Sequence, residues 1–177
     1  KSDGLEDCVL IVKKMDTANI TRDRFNNLVD RNRRGIIVLF KNNNSYEKAI
    51  ENYNCFSSEN EDGGIYFPPS LTINIKNEKL IIDYNHGRYG SWYYTFQFQN
   101  SNFELIEFHS SSNQGPVINK ETYINFITKK KLIKENINYN AVGGDEEFKK
   151  TWSNVEIKSL IKLSEIEDFD ELNMYKY

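Results

Sequence analysis

The sequence predicts a mainly β fold: an antiparallel meander forming an open sandwich or partial barrel, with one or two short helices. Three observations carry this expectation. Runs of strand periodicity follow one another through Leu71–His109, short Asn, Gly and Ser clusters separate them, and aromatic residues make up 14% of the chain. Strict alternation across Trp92–Gln99 puts Tyr94, Phe96 and Phe98 on one face and Tyr93, Thr95, Gln97 and Gln99 on the other. That is the period of a strand and not of a helix.

Taken in order, Cys8–Lys13 (CVLIVK) is a short, nearly continuous apolar run, as expected of a central strand buried on both faces. The polar stretch from Met15 to Arg34 reads as a loop with a helical turn or two, because Phe25, Leu28 and Val29 fall at i, i+3, i+4. Gly35–Lys41 is the second strong strand, and the Asn42–Ser45 cluster after it is a turn. Tyr46–Phe56 fits a helical stripe or a returning strand; hairpin logic favours the strand. Glu59–Gly64 is an acidic turn, and Pro68 and Pro69 keep the chain extended before the hairpin of Leu71–Ile75 and Leu80–Tyr84.

Phe103–His109 answers the Trp92–Gln99 strand across Asn100–Asn102, with Phe96 and Phe98 expected to face one core. Thr122–Phe126 and Leu132–Tyr139 form a further hairpin across Lys129–Lys131. Trp152–Leu163 reads as a last strand and Ser164–Leu172 as a short acidic helix capped by Ser164. The whole chain, 1–177, is thus expected to be a single β-rich domain of eight to ten strands. Its acidic tail, 164–177, docks through Ile166 and Phe169.

At 177 residues the chain is long enough to bury a substantial core without a metal or disulfide staple. Its net charge of −3 gives no chain-wide basic field for a phosphate backbone, so nucleic acid is not an expected partner. No run of apolar residues reaches the length of a membrane-spanning helix. Cys8 and Cys55 sit in apolar surroundings and read as small buried hydrophobes, although an oxidising compartment would allow them to pair.

The loop His86-Gly87-Arg88-Tyr89-Gly90-Ser91-Trp92 gathers a histidine, an arginine and two aromatics between glycines. An arginine beside an aromatic face suits an anion, a sugar or a partner side chain. His86, Arg88, Tyr89 and Trp92 are therefore the candidate binding residues. His109 has no carboxylate or cysteine at a fixed spacing and reads as a structural imidazole. No catalytic residue is assigned, because neither a Cys–His pair nor a carboxylate pair is brought together by spacing. Charge is unevenly spread: from Lys13 to Arg34 there are seven basic residues against three acids, while Glu165–Glu171 holds five acids and no base. The two segments are expected to meet within the fold or to mark a partner surface.

Three stretches carry a family resemblance. Asp3-Gly4-Leu5-Glu6-Asp7 running into Cys8–Val12 is similar to the end of a G-D-x-N-x-D-G-x-x-D motif and its strand. Leu80–Leu105 is similar to an aromatic meander with a Gly/Ser/Trp turn and a Y-T-F-x-F-Q strand, and Thr122–Lys130 to an N-F-x-T-K segment. Together they resemble bacterial exported proteins related to the FG-GAP, or integrin-alpha N-terminal, repeat. The resemblance implies an exported protein of the periplasm or cell surface, possible lipid anchoring through a segment upstream of Lys1, and a binding role. The acids that open the motif do not precede Asp3, so Asp3 and Asp7 supply too few oxygens for a calcium loop, which needs about six or more. No cofactor is expected. The function expected is a non-enzymatic extracytoplasmic binding protein for an unidentified protein or carbohydrate. An immunity-type inhibitor of a secreted toxin and a hydrolase on an unfamiliar β scaffold are the alternatives.

Overall fold

The computed structural model describes residues 5–61 and 67–177, so Asp3 and the Asp62-Gly63-Gly64 turn lie outside the described residues. The chain is mainly β and antiparallel, with 3-10 turns as its helical elements. Among the described residues twelve strands form: β1 (Cys8–Lys13), β2 (Ile20–Arg22), β3 (Leu28–Asp30), β4 (Arg34–Asn42), β5 (Ser45–Phe56), β6 (Ser70–Lys76), β7 (Lys79–Asn85), β8 (Gly90–Gln99), β9 (Asn102–Gln114), β10 (Val117–Asn125), β11 (Lys130–Asn136) and β12 (Phe148–Asn154). They exceed the eight to ten expected because the Met15–Arg34 stretch folds as the small β2–β3 hairpin and not as a helical turn. Its Asp23 side chain accepts from the backbone N–H of Phe25 and Asn27 and so closes the turn.

Two compact units divide the chain. The first gathers Lys1–Pro68, Phe98–Phe103 and Ile161–Asn173; the second holds Pro69–Gln97, Glu104–Leu160 and Met174–Tyr177.

In the first unit β1, β4 and β5 form a three-stranded sheet in that order, which puts β1 at an edge and not in the centre. Leu10 and Ile11 are 42% and 47% exposed, so the continuous apolar run of β1 is not buried on both faces. The central strand is β4, which buries Ile36, Val38 and Phe40. Gly35, the second residue of β4, stands where β5 bulges: Arg34 pairs with Phe56 and Ile36 with Asn52, leaving Tyr53–Cys55 opposite a single residue. A Cβ at Gly35 would stand 2.3 Å from the Asn52 carbonyl oxygen, so the bulge requires glycine there.

The expected Ser164–Leu172 helix does not form; a short 3-10 turn, Leu163–Glu165, is followed by irregular chain. Contacts with β5 replace helical hydrogen bonds. The Asn52 amide donates to the carbonyls of Leu163 and Ile166 at 2.9 and 2.7 Å, and the Phe169 N–H donates to Cys55 O at 2.9 Å. Ile166 and Phe169 are buried as expected, and the Phe169 ring stacks on Phe56. The basic and acidic segments do meet, through Arg33 and Asp168 at 2.8 Å. Cys8 and Cys55 are free thiols, and burial pushes the Cys55 thiol up to about 12, where it behaves as a small hydrophobe.

The second unit is a seven-stranded meander, β6 to β12, in which every strand pairs with its sequence neighbours. Two-residue turns with consecutive positive φ, Asn77-Glu78 and Asn100-Ser101, close two of the hairpins. In β10 the alternation is complete: Thr122 and Ile124 are buried while Glu121, Tyr123 and Asn125 face outward. The strands β7, β8 and β9 contribute Leu80, Ile82, Tyr84, Tyr94, Phe96, Ile106 and Phe108 to the buried side. Phe96 is fully buried in this unit; Phe98 belongs to the first unit, where it packs edge-on against Phe40. The last strand also lies earlier than the expected Trp152–Leu163, running from Phe148 to Asn154, after which Val155 N–H donates to Lys129 O.

A pair of glycines tests this packing. At Gly90 φ is +122° and a Cβ would lie 2.0 Å from Ser111 O, whereas Gly87, also at positive φ, has open space around it. Gly90→Ala should destabilise the chain by about 2–4 kcal/mol, through strain and overpacking together. Gly87→Ala should cost about 1–2 kcal/mol, for left-handed geometry alone. Urea unfolding of both variants checks the order; equal losses would refute the close approach of β8 to β9.

Candidate functional site

Pairing register on the outward face of the second unit lines up one residue per strand. Asp83 pairs with Tyr93, His109 with Tyr123, Tyr123 with Leu132, and Leu132 with Trp152. The Tyr93 ring joins the two halves of this row, lying 4.9 Å from the His109 ring, which lies 4.2 Å from Tyr123. Two residues along each strand, a second row holds Thr95, Glu107, Asn125 and Lys130; two the other way, a third holds Ser111, Glu121 and Lys134. Over the first two rows lies a cavity of about 600 Å³, walled by Tyr93, His109, Tyr123, Leu132 and Trp152, with Thr128 reaching in from the β10–β11 turn. A smaller one of about 260 Å³ adjoins it through Tyr93 and Glu107 and extends over Asp83 and Lys79. The two form a groove running across the strands.

Hydrogen bonds hold its polar wall in place. The Asn125 amide donates to Glu107 Oε1 at 3.1 Å, and its oxygen accepts from both the N–H and the hydroxyl of Thr128. Lys130 donates to Asn154 Oδ1 at 2.7 Å. Glu121 accepts from the Tyr123 hydroxyl at 2.7 Å and from Lys134 Nζ at 3.0 Å. Although burial acts to raise the Glu121 carboxyl, these donors outweigh it and hold the group below its ordinary value.

His109 is the exception. Its two ring nitrogens are buried and neither has a hydrogen-bond partner. Nε2 stands 3.5 Å from Glu121 Oε1, close enough for charge attraction when protonated but long for a hydrogen bond. Burial lowers its pKa from the ordinary 6.5, outweighing the opposing pull of Glu121. The imidazole is therefore neutral at pH 7 and presents one donor and one acceptor. Burial likewise raises the Asp83 carboxyl, with His109 as its opposing influence, and raises the Tyr93 phenol.

The sequence-predicted loop lies elsewhere. His86, Arg88 and Tyr89 do come together, with the His86 and Tyr89 rings 5.1 Å apart and the Arg88 guanidinium 5.9 Å from the Tyr89 ring. Trp92 leaves them: it lies flat on the buried Tyr84, rings 5.2 Å apart and 11° from parallel. The loop is tied to the β9–β10 turn by Gly115 N–H donating to Arg88 O, and none of the four residues lines the groove. Asp7, the other candidate metal ligand, accepts from the Lys41 backbone N–H through Oδ1. Among the described residues no group of His, Cys, Asp and Glu is arranged to hold a metal ion.

Tyr93, Tyr123, Trp152 and the groove role of His109 escaped the sequence reading. Tyr93, His109 and Tyr123 occupy the outward parity of strands read from the sequence, and Trp152 stands in a strand whose bounds were misread, but only cross-strand register brings them together. Neither a family model, nor a curated protein, nor a solved structure matches the chain.

The depressed His109 pKa is open to direct titration. Because the folded value lies below the unfolded one, His109 contributes stability that is fully present above about pH 6.5 and is lost as pH falls through the folded value. Its NMR titration midpoint should fall below 6.5, and further still in Glu121→Gln, which removes the opposing carboxylate. A midpoint above 6.5, or an upward move in the variant, would contradict the buried neutral imidazole.

Proposed function

We propose that this chain is a non-enzymatic binding protein whose ligand seats in the groove on the outward face of the seven-stranded sheet. The observation that carries the proposal is the cavity of about 600 Å³. It combines an aromatic and aliphatic wall with a few fixed polar groups, the usual make-up of a ligand site. The charged groups favour binding over hydrolysis. Glu107 is engaged by Asn125 and Glu121 by Tyr123 and Lys134, while His109 Nε2 and Glu121 Oε1 stand 3.5 Å apart, long for proton transfer. Export to the periplasm or cell surface, with or without a lipid anchor, belongs to the same proposal and rests on the FG-GAP-like resemblance of the 80–105 meander.

A thermal-shift screen with a broad library of small molecules and oligosaccharides tests the role. A ligand present at a hundredfold excess over its Kd adds about 2.7 kcal/mol to stability and raises the melting temperature. The expected result is at least one such ligand for the native chain and loss of its shift in Leu132→Trp, whose indole fills the cavity. A shift that persists in the filled variant would place binding away from the groove.

A further inference from the structure

We infer that the groove accepts a neutral saccharide chain lying across the strands; the inference rests on the binding role proposed above. Three features of the groove converge on that chemistry.

The first is charge. The cavities are lined by the acids Asp83 and Glu107 and by Lys76, Lys79 and Lys130, with Lys79 3.8 Å from Glu107. With both signs interspersed and a formal excess of one positive charge, three lysines against two acids, the groove gives little field to select a strongly ionic ligand. The second is hydrogen bonding. Glu107, Asn125, Thr128 and Lys130 line the cavity with both donors and acceptors, and a sugar hydroxyl is both at once.

The third is spacing. Aromatic side chains stand on successive strands, with ring centroids 4.9 and 4.2 Å apart, near the strand separation of about 4.8 Å. A pyranose ring has about this breadth, so an oligosaccharide crossing the strands sets roughly one ring over each. At the far end Trp152 is 65% exposed and offers an indole to the C–H face of a terminal sugar. A peptide fits less well. It binds sheets by adding to an unpaired edge, whereas the groove lies on the face of β7 to β11, whose backbones are paired on both sides, and reaches the edge strand β12 at its Trp152 end.

NMR titration tests the inference. The probes are neutral tetrasaccharides of glucose, mannose and N-acetylglucosamine, with tetragalacturonate and an uncharged tetrapeptide as comparisons, against the native chain and Trp152→Ala. At least one neutral tetrasaccharide should shift the Trp152 indole and His109 ring signals with Kd below about 1 mM. Trp152→Ala should weaken it about tenfold or more, with an unchanged melting temperature. The inference is overturned if no neutral tetrasaccharide moves those signals, if tetragalacturonate or the peptide binds as tightly, or if Trp152→Ala leaves affinity intact. Should the saccharides fail while a compound from the thermal screen still occupies the groove, the saccharide inference falls and the binding role stands. Failure of both removes the role as well.

Discussion

Side chains alternate faces along a strand, so a slip of one residue between β9 and β10 would set Phe108 and Ile124 where His109 and Tyr123 now stand, and the groove would vanish. The seven-stranded sheet depends on that register being held. Burial of Thr122 and Ile124 on one face of β10, and of Leu80, Ile82 and Tyr84 on β7, sets a large penalty against any slip. The tight positive-φ turns after β6 and β8 remove the slack that a slip would need. The same burial that stabilises the inner face therefore positions the polar and aromatic groups of the outer one. It also leaves His109 desolvated between two tyrosines, without an acceptor for its N–H.

The first unit is held by a different device. Its C-terminal segment lacks the helix that its Ser164 start and acidic first turn suggest, because β5 offers its backbone groups better partners. Asn52 gathers the Leu163 carbonyl and the Ile166 carbonyl that a helix would have bonded internally, and Cys55 takes the Phe169 N–H while the rings of Phe56 and Phe169 stack. Local propensity for a nine-residue acidic helix amounts to little against burial of Ile166 and Phe169.

Much of the fold was legible in residue patterns. The hairpins from Leu71 to Phe108 and around Lys129–Lys131 follow from alternation and turn chemistry, as does the strand at Tyr46–Phe56. Less legible was where a strand sits in its sheet: CVLIVK reads as central, yet β1 is an edge strand with Leu10 and Ile11 half exposed. An apolar run records burial potential and not position. The groove was not legible at all, since its residues lie from Lys76 to Trp152 and share no spacing. The glycine-rich loop drew attention instead because His86, Arg88 and Tyr89 are adjacent in sequence, although Trp92 is turned toward the buried Tyr84.

Cross-strand proton contacts measured by NMR test the central claim, the in-register row across β8 to β12, most directly. Contacts from the Tyr93 ring to His109, from His109 to Tyr123, and from the Leu132 methyls to both Tyr123 and Trp152 are the result expected. Contacts that instead set His109 against Ile124, or Trp152 against Ile133, would mean a different register and no groove.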